Sequence, residues 1–393
     1  MLSKADTAPV ISIINSLIEN SVKTRASDIH LEMLGDRLRV RYRIDGVLSE
    51  VAEYPLSIQQ ALISRVKIMS ELDIAEKRIP QDGRLHFPGN KNLDIRVSTL
   101  PTIHGEKIVM RILDKQALSL SVEELGFSAD NLHIVREFFK HSNGMVLATG
   151  PTGSGKTTTL HSMLTELNNT DKNIVTIEDP VEYRLYGVNQ IQVNHKAGLS
   201  FATGLRSILR QDPNIIMVGE IRDKETADIA IRAALTGHLV LSTLHTNDAC
   251  GALPRLLDMG VEPFLVCSAI IGVIAQRLTR RICPDCQEDY RPAPNSIAEI
   301  FLKNNGFESE YILYRGRGCQ SCNYSGYKGR VAIQELLCVT PQIRSAVMSS
   351  CSSSDILSIA KTNSFKTMST DGIVKSLAGI TTVEEVIRIA YTF

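Results

Sequence analysis

Residues 144–160 read GMVLATGPTGSGKTTTL, and the fold of the chain is decided inside them. MVLAT (145–149) has the length and apolar character of a buried strand, and TTTLHSMLTELN (157–168) suits a helix. Between them Gly150, Gly155, Lys156 and Thr157 fill the pattern G-x-x-x-x-G-K-[ST]. A strand, a glycine-rich turn and a helix in that order make a phosphate-binding loop. Its glycines let the backbone of Gly150, Thr152, Gly153, Ser154, Gly155 and Thr158 close on a phosphate at a helix N-terminus. Lys156 is expected to bridge the β- and γ-phosphates and the Thr157 hydroxyl to ligate Mg²⁺, so ATP and Mg²⁺ are the cofactors this stretch implies.

Toward the C-terminus the same grammar repeats. NIVTIED (173–179), NIIMVGE (214–220) and HLVLSTLHT (238–246) are short apolar runs separated by helix-compatible segments, and with MVLAT they predict an α/β core whose parallel strands are covered on both faces. Each run ends in polar residues, where open sheets of this type hold their ligands. Glu220 closes a strand of Walker B shape and is expected to serve Mg²⁺ through water. IVTIEDPVE (174–182) brings three acids to another strand end, one of which could orient an attacking water. His245, just past the fourth strand, stands where a γ-phosphate would be sensed.

Toward the N-terminus the period changes. Val10, Ile13, Ile14, Leu17 and Ile18 share one helical face; in RLRVRYRIDG (37–46) Leu38, Val40, Tyr42 and Ile44 alternate with four arginines before a DG turn. A helix over 58–72 and strands over 93–100 and 108–113 complete a small α+β domain spanning 1–115. The remaining division is a linker at 116–127, the nucleotide-binding core at 128–281, a cysteine segment at 282–327 and a helical C-terminal part at 328–393. PFLVCSAIIGVIAQ (263–276), the longest charge-free apolar run, is too short to span a bilayer and reads as a buried helix.

At 393 residues the chain should form two or three domains. Lysine plus arginine equals aspartate plus glutamate at 43 each, which supplies no general attraction to nucleic acid or anionic lipid. The absence of tryptophan and an aromatic content of 5% speak against the rival reading of a nucleic-acid motor, whose groove would be basic and aromatic. No signal peptide is visible in the first residues, so a cytoplasmic protein without direct membrane insertion is expected.

Cys283 and Cys286 form CPDC, and Cys319 and Cys322 form CQSC; two such pairs in a chain without an export signal point to a structural tetrahedral Zn²⁺ site. Cys250, Cys267, Cys338 and Cys351 read as ordinary buried thiols.

Long motifs then follow one another in a familiar order: ASDIHLE (26–32), RYRIDG (41–46), KRIPQDGR (77–84), RVSTLP (96–101), GEKIVMRIL (105–113), the phosphate loop, IEDPVE (177–182), LRSILRQDPN (205–214), VGEIRD (218–223) and TGHLVLSTLHTN (236–247). Over nearly its whole length the chain resembles the type II secretion and type IV pilus assembly ATPases. The resemblance implies a RecA-like core, a PAS-like N-terminal domain and a homohexameric, cytoplasmic motor at the inner membrane, where its domains rotate against each other and its partners are platform and anchor proteins. It also implies that Glu182 polarises the attacking water, Glu220 serves Mg²⁺ and His245 contacts the γ-phosphate region. Arg96 and Arg111 would reach the triphosphate from the N-terminal domain, and Arg206, Arg210 and Arg222 would lie near nucleotide or between subunits. By pattern alone Arg96 reads instead as a solvated strand residue beside Asp94. Members of the assembly type carry a tetracysteine insertion that retraction ATPases lack, which favours export or extension. Relatives commonly carry a further N-terminal domain, and this chain begins at the ASDIHLE domain.

Overall fold

The computed structural model describes residues 4–87, 93–114, 120–307, 311–349 and 351–390. They fall into two compact units, 1–118 and 119–393. The first unit runs α1 (Lys4–Lys23), β1 (Ala26–Met33), β2 (Arg37–Ile44), β3 (Val47–Pro55), α2 (Gln59–Met69), β4 (Gln81–His86), β5 (Leu93–Thr102) and β6 (Gly105–Asp114). The strands pair antiparallel in the order β3-β2-β1-β6-β5-β4. The alternation in β2 does what its pattern dictates. Leu38, Val40 and Tyr42 are buried in a core shared with Ile14, Ile18, Leu62 and Val66 of the two helices, and the arginines between them face the other side. Asp45 and Gly46, both with positive φ, turn β2 into β3. β1 carries no strand signature in sequence, because ASDIHLEM is buried on both faces and shows no period of two.

The second unit runs α3 (Ala129–Phe139), β7 (Gly144–Thr149), α4 (Lys156–Leu167), β8 (Ile174–Glu178), β9 (Asn189–Gln192), α5 (Phe201–Ile208), β10 (Ile215–Val218), α6 (Lys224–Leu235), β11 (Leu239–Leu244), α7 (Ala252–Asp258), α8 (Pro263–Ala269), β12 (Ile270–Ile282), β13 (Gln287–Tyr290), α9 (Ile297–Asn304), β14 (Leu313–Gly316), β15 (Tyr327–Cys338), α10 (Pro341–Met348), α11 (Ser353–Thr362), α12 (Met368–Leu377) and α13 (Val383–Ala390). Its main sheet has the order β15-β12-β7-β11-β10-β8-β9. All neighbours are parallel except β15, which pairs antiparallel with β12. Apolar clusters cover both faces, so β7, β8, β10 and β11 are buried throughout, as uninterrupted apolar runs require.

Two expectations are corrected. Residues 263–276 are not one helix: α8 stops at Ala269, and the β-branched Ile270, Ile271, Val273 and Ile274, with Gly272 among them, continue as β12. Residues 328–338, expected in the helical part, belong with Tyr327 to the edge strand β15, half hidden in sequence because IQELLCV has no clean alternation. α12 covers that edge. Asp371 accepts the outward N–H of Gln334 (2.9 Å), and Lys375, one turn on, donates to the outward carbonyl of Ala332 (2.7 Å). Of the expected linker, 116–119 lie outside the described residues, whereas Val122 and Leu125 are buried in the core beside Val135, Phe138 and Val146. Among the described residues no helix is long and apolar enough to cross a membrane.

Candidate nucleotide site

The loop between β7 and α4 is shaped by three glycines at positive φ: Gly150 (145°), Gly153 (80°) and Gly155 (88°). At Gly150 a side chain is excluded twice, by conformation and because a Cβ would lie 2.4 Å from the Gln276 carbonyl oxygen. Lys156 opens α4 and is 9% exposed. Its Nζ donates to the carbonyls of Gly150 (2.7 Å) and Pro151 (3.1 Å), which folds the side chain back over the loop. Burial pulls its pKa down and the charge of Glu220 opposes that. Ser154 Oγ is buried, with no hydrogen-bond partner among the described residues. Thr152, Gly153 and Thr157 are exposed, and Thr158 is half-buried.

Gln276 of β12 holds this loop, a role absent from the sequence motifs. Its Nε2 donates to Ser154 O (2.7 Å) and its Oε1 accepts from Thr159 Oγ1 of α4 (2.7 Å). The signal was present: an amide closing an apolar run is a buried polar group that needs partners. Thr149, at the end of β7, is tied to Thr246 beyond β11 through its hydroxyl, which lies 2.7 Å from Thr246 Oγ1 and accepts from Thr246 N (2.9 Å).

The acidic and histidine boxes come to the same edge because their strands are parallel neighbours in register with β7. Glu220 follows β10, with Arg222 Nε at 2.6 Å and His245 Nε2 at 3.6 Å from its Oε2. Burial pushes His245 down, and the nearby Lys156 charge adds to this, so its neutral ring is favoured. The three acids of IVTIEDPVE part company. Glu178 is buried; burial pushes its carboxyl up, but His161 of α4 (3.2 Å), Gln190 (3.0 Å) and Thr176 (2.7 Å) together hold it below its ordinary value. It joins α4 to β8 and is spent on structure. Asp179 is exposed and lies 3.8 Å from His195. Glu182 is half-buried in the segment that follows β8.

The arginines are placed unequally. Arg222 joins Glu220, whereas Arg206 of α5 pairs with Glu225 (2.6 Å) and Arg210 bonds back to Arg206 O (2.9 Å); among the described contacts neither touches the loop. In the first unit Arg96 and Arg111 are directly opposite on β5 and β6, and Arg84 is opposite Arg96 on β4. Like charges in that register repel. Arg111 has a carboxylate beside it: its Nε lies 3.1 Å from Asp28, which Arg43 also approaches at 3.6 Å.

Cys283, Cys286, Cys319 and Cys322 meet with all four Sγ atoms within 4.8 Å of one another. Three Sγ separations are 3.9, 3.9 and 3.7 Å. Four thiolates on a tetrahedral ion at a Zn–S bond of ~2.3 Å would stand about 3.8 Å apart, so the donor set fits such an ion. Amides of Cys319 (3.1 Å) and Gly326 (3.3 Å) donate to Cys322 Sγ, the support that metal thiolates usually receive. Of the other cysteines Cys250 and Cys267 are buried as expected, but Cys338, the last residue of β15, is exposed.

A family model described as "Type II/IV secretion system protein" matches residues 3–388. The type II secretion system protein E of Pseudomonas aeruginosa is 50% identical over 390 residues, covering 99% of this chain and 77% of that protein. The type II secretion system ATPase E of Vibrio cholerae is 48% identical with the same coverage, and the type IV pilus assembly ATPase PilB of Myxococcus xanthus is 49% identical over 98% of this chain and 69% of its own length. Among solved structures, the pilus retraction motor PilT with bound ADP is 27% identical with a TM-score of 0.63, covering 95% of each chain. The Legionella pneumophila ATPase DotB, 21% identical, shares the fold with a TM-score of 0.70 over 96% of this chain and 95% of its own. The glycine loop and the strand-end boxes thus sit in a chain matched from end to end, and it belongs to the type II/IV secretion system protein family of secretion and pilus ATPases.

Proposed function

We propose that this chain is a Mg²⁺-dependent ATPase that works as a homohexamer and powers the assembly of pilin-like subunits, in type II secretion or in type IV pilus extension. One observation carries the reading: Lys156 of the glycine loop, Glu220 and His245 stand together at the carboxyl edge of neighbouring parallel strands. Backbone N–H groups of Gly150 and of Thr152 to Thr158, with the Lys156 ammonium, bind the triphosphate. Thr157 and Glu220 would hold Mg²⁺, which supplies charge neutralisation at the β- and γ-oxygens. Glu182 orients the attacking water as general base, and the neutral His245 ring reads the γ-phosphate. Arg96, Arg111, Arg206, Arg210 and Arg222 are the cations available to offset charge that develops on the phosphates, a task the fixed guanidinium fork suits.

The four cysteines are proposed to hold structural Zn²⁺; four thiolates leave no open position for catalysis. Relatives named for type II secretion and for pilus assembly support a place at the inner membrane, reached through platform and anchor proteins, with the chain itself cytoplasmic. The test is ATPase rate against protein concentration, with mass photometry on the same samples, with and without single-stranded DNA. Activity that rises as hexamers form and ignores DNA is expected. Full activity in the monomer, or strong stimulation by DNA, would overturn the reading.

A further inference from the structure

Gln334 and Glu335, consecutive residues of β15, are 0% and 5% exposed, and no step above uses them. Across the strand pair Gln334 lies opposite Gln276, which holds the phosphate loop, and Glu335 lies opposite Ala275. The pleat sends their side chains to opposite faces of the sheet, yet both reach the same helix, α12. On one face Gln334 Nε2 donates to Leu125 O (3.3 Å), its Oε1 accepts from Lys375 Nζ (3.3 Å), and its backbone N–H is held by Asp371.

On the other face the Glu335 carboxylate is shared. One oxygen accepts from Ala249 N (2.8 Å), the other from Met368 N (2.9 Å). Ala249 is four residues past His245, in the segment that Thr149 pins through Thr246. Met368 is the first residue of α12, so its N–H is one of the donors a helix leaves unpaired at its start. Neither amide can leave the carboxylate without exposing a buried polar group, so displacement of the histidine-bearing segment is felt at the start of α12. Burial pushes the Glu335 carboxyl up, which sharpens its need for both donors.

We propose that Glu335 is a positioning residue for ATP hydrolysis: it keeps the segment carrying His245 in register with α12, while Gln334, opposite the loop-holding Gln276, ties the same helix from the other face of the sheet. The inference rests on the ATPase reading above. The plainer alternative is a staple that serves stability alone, and the two part in their kinetics.

Glu335→Gln keeps the shape of the side chain but turns one acceptor into a donor facing a backbone N–H. In the full chain kcat should fall about tenfold, with nucleotide Kd unchanged within about twofold, and the loss combined with His245→Ala should be smaller than the product of the two single losses. An unchanged kcat in the folded variant, or losses that multiply, would overturn the proposal. Hydrogen exchange on the unaltered chain gives an independent arm that survives any folding failure of the variant. Protection at the Ala249 and Met368 amides should change together when a non-hydrolysable ATP analogue binds, and change at Ala249 alone would also overturn it. A wild-type chain without turnover would count against the ATPase reading itself, and the exchange arm would still decide the coupling.

Discussion

In the second unit Lys156, Glu220 and His245 stand at the ends of parallel strands, held by glycine-bent backbone and by amides such as that of Gln276. In the first unit the charges lie along the strands. Arg39 (3.0 Å), Arg41 (2.7 Å) and Lys107 (3.1 Å) converge on Glu32, and Arg43 and Arg111 on Asp28. At the strand ends the loop is fixed by glycine-bent backbone and buried hydrogen bonds, and ion pairs enter only where Glu220 meets Arg222 and His245. The strand-face cluster is fixed by ion pairs, some of them half-exposed, which salt and acid weaken. A group needed at one place for bond breaking suits the first arrangement. Cations that must let go of one anion to meet another suit the second.

The largest expected effect falls on the strand-end side. Glu182→Gln should lower kcat by about 10²-fold or more while leaving ATP binding intact, the signature of a lost general base; unchanged turnover in steady-state assays would remove Glu182 from the mechanism. Next is acid sensitivity on the strand-face side. Burial alone would raise the Glu32 carboxyl, but hydrogen bonds from Arg41, Lys107 and Arg39 bring it down to about 2. A depressed carboxyl stabilises the fold above its unfolded pKa of about 4.5, and that contribution is lost as pH falls toward 2. Glu32→Gln should therefore cost the first unit about 2 kcal/mol at pH 7 and flatten its stability between pH 4.5 and 2. Hydrogen exchange in β1 and β2, measured against pH on the full chain, would show a parallel loss in both proteins if the ion pairs contribute nothing.

Smaller again is Gln276→Leu. Two buried hydrogen bonds go with it, and nucleotide Kd should rise about tenfold with the fold kept; titration with a fluorescent ATP analogue would show no change if β7 alone shapes the loop. Smallest for catalysis is the cysteine site. Cys286→Ser should abolish stoichiometric zinc in atomic absorption and lower hydrogen-exchange protection over 283–326, yet leave turnover per chain within about threefold. A hundredfold loss of turnover would mean that the metal does more than hold the segment.

The same contrast explains what the sequence made legible. The phosphate loop, the four buried parallel strands and the paired cysteines are local patterns: each is written in consecutive residues or in a short spacing, and the structure has them where the pattern puts them. What stayed hidden depends on distant partners. Gln276 matters because a strand 120 residues downstream of the loop runs beside β7. Glu178 looks like a candidate catalytic acid until His161 is seen against it. The β-branched run at 270–274 competed with helical length in the same apolar stretch, and pairing with β7 and β15 settled it as a strand.

The most direct measurement is ATP hydrolysis by the full chain in Mg²⁺ and in EDTA, with Lys156→Ala assayed beside it. If the strand-end cluster hydrolyses ATP, turnover requires Mg²⁺ and falls by about 10³-fold or more in the variant; turnover that persists in EDTA, or that survives the loss of Lys156, would contradict it.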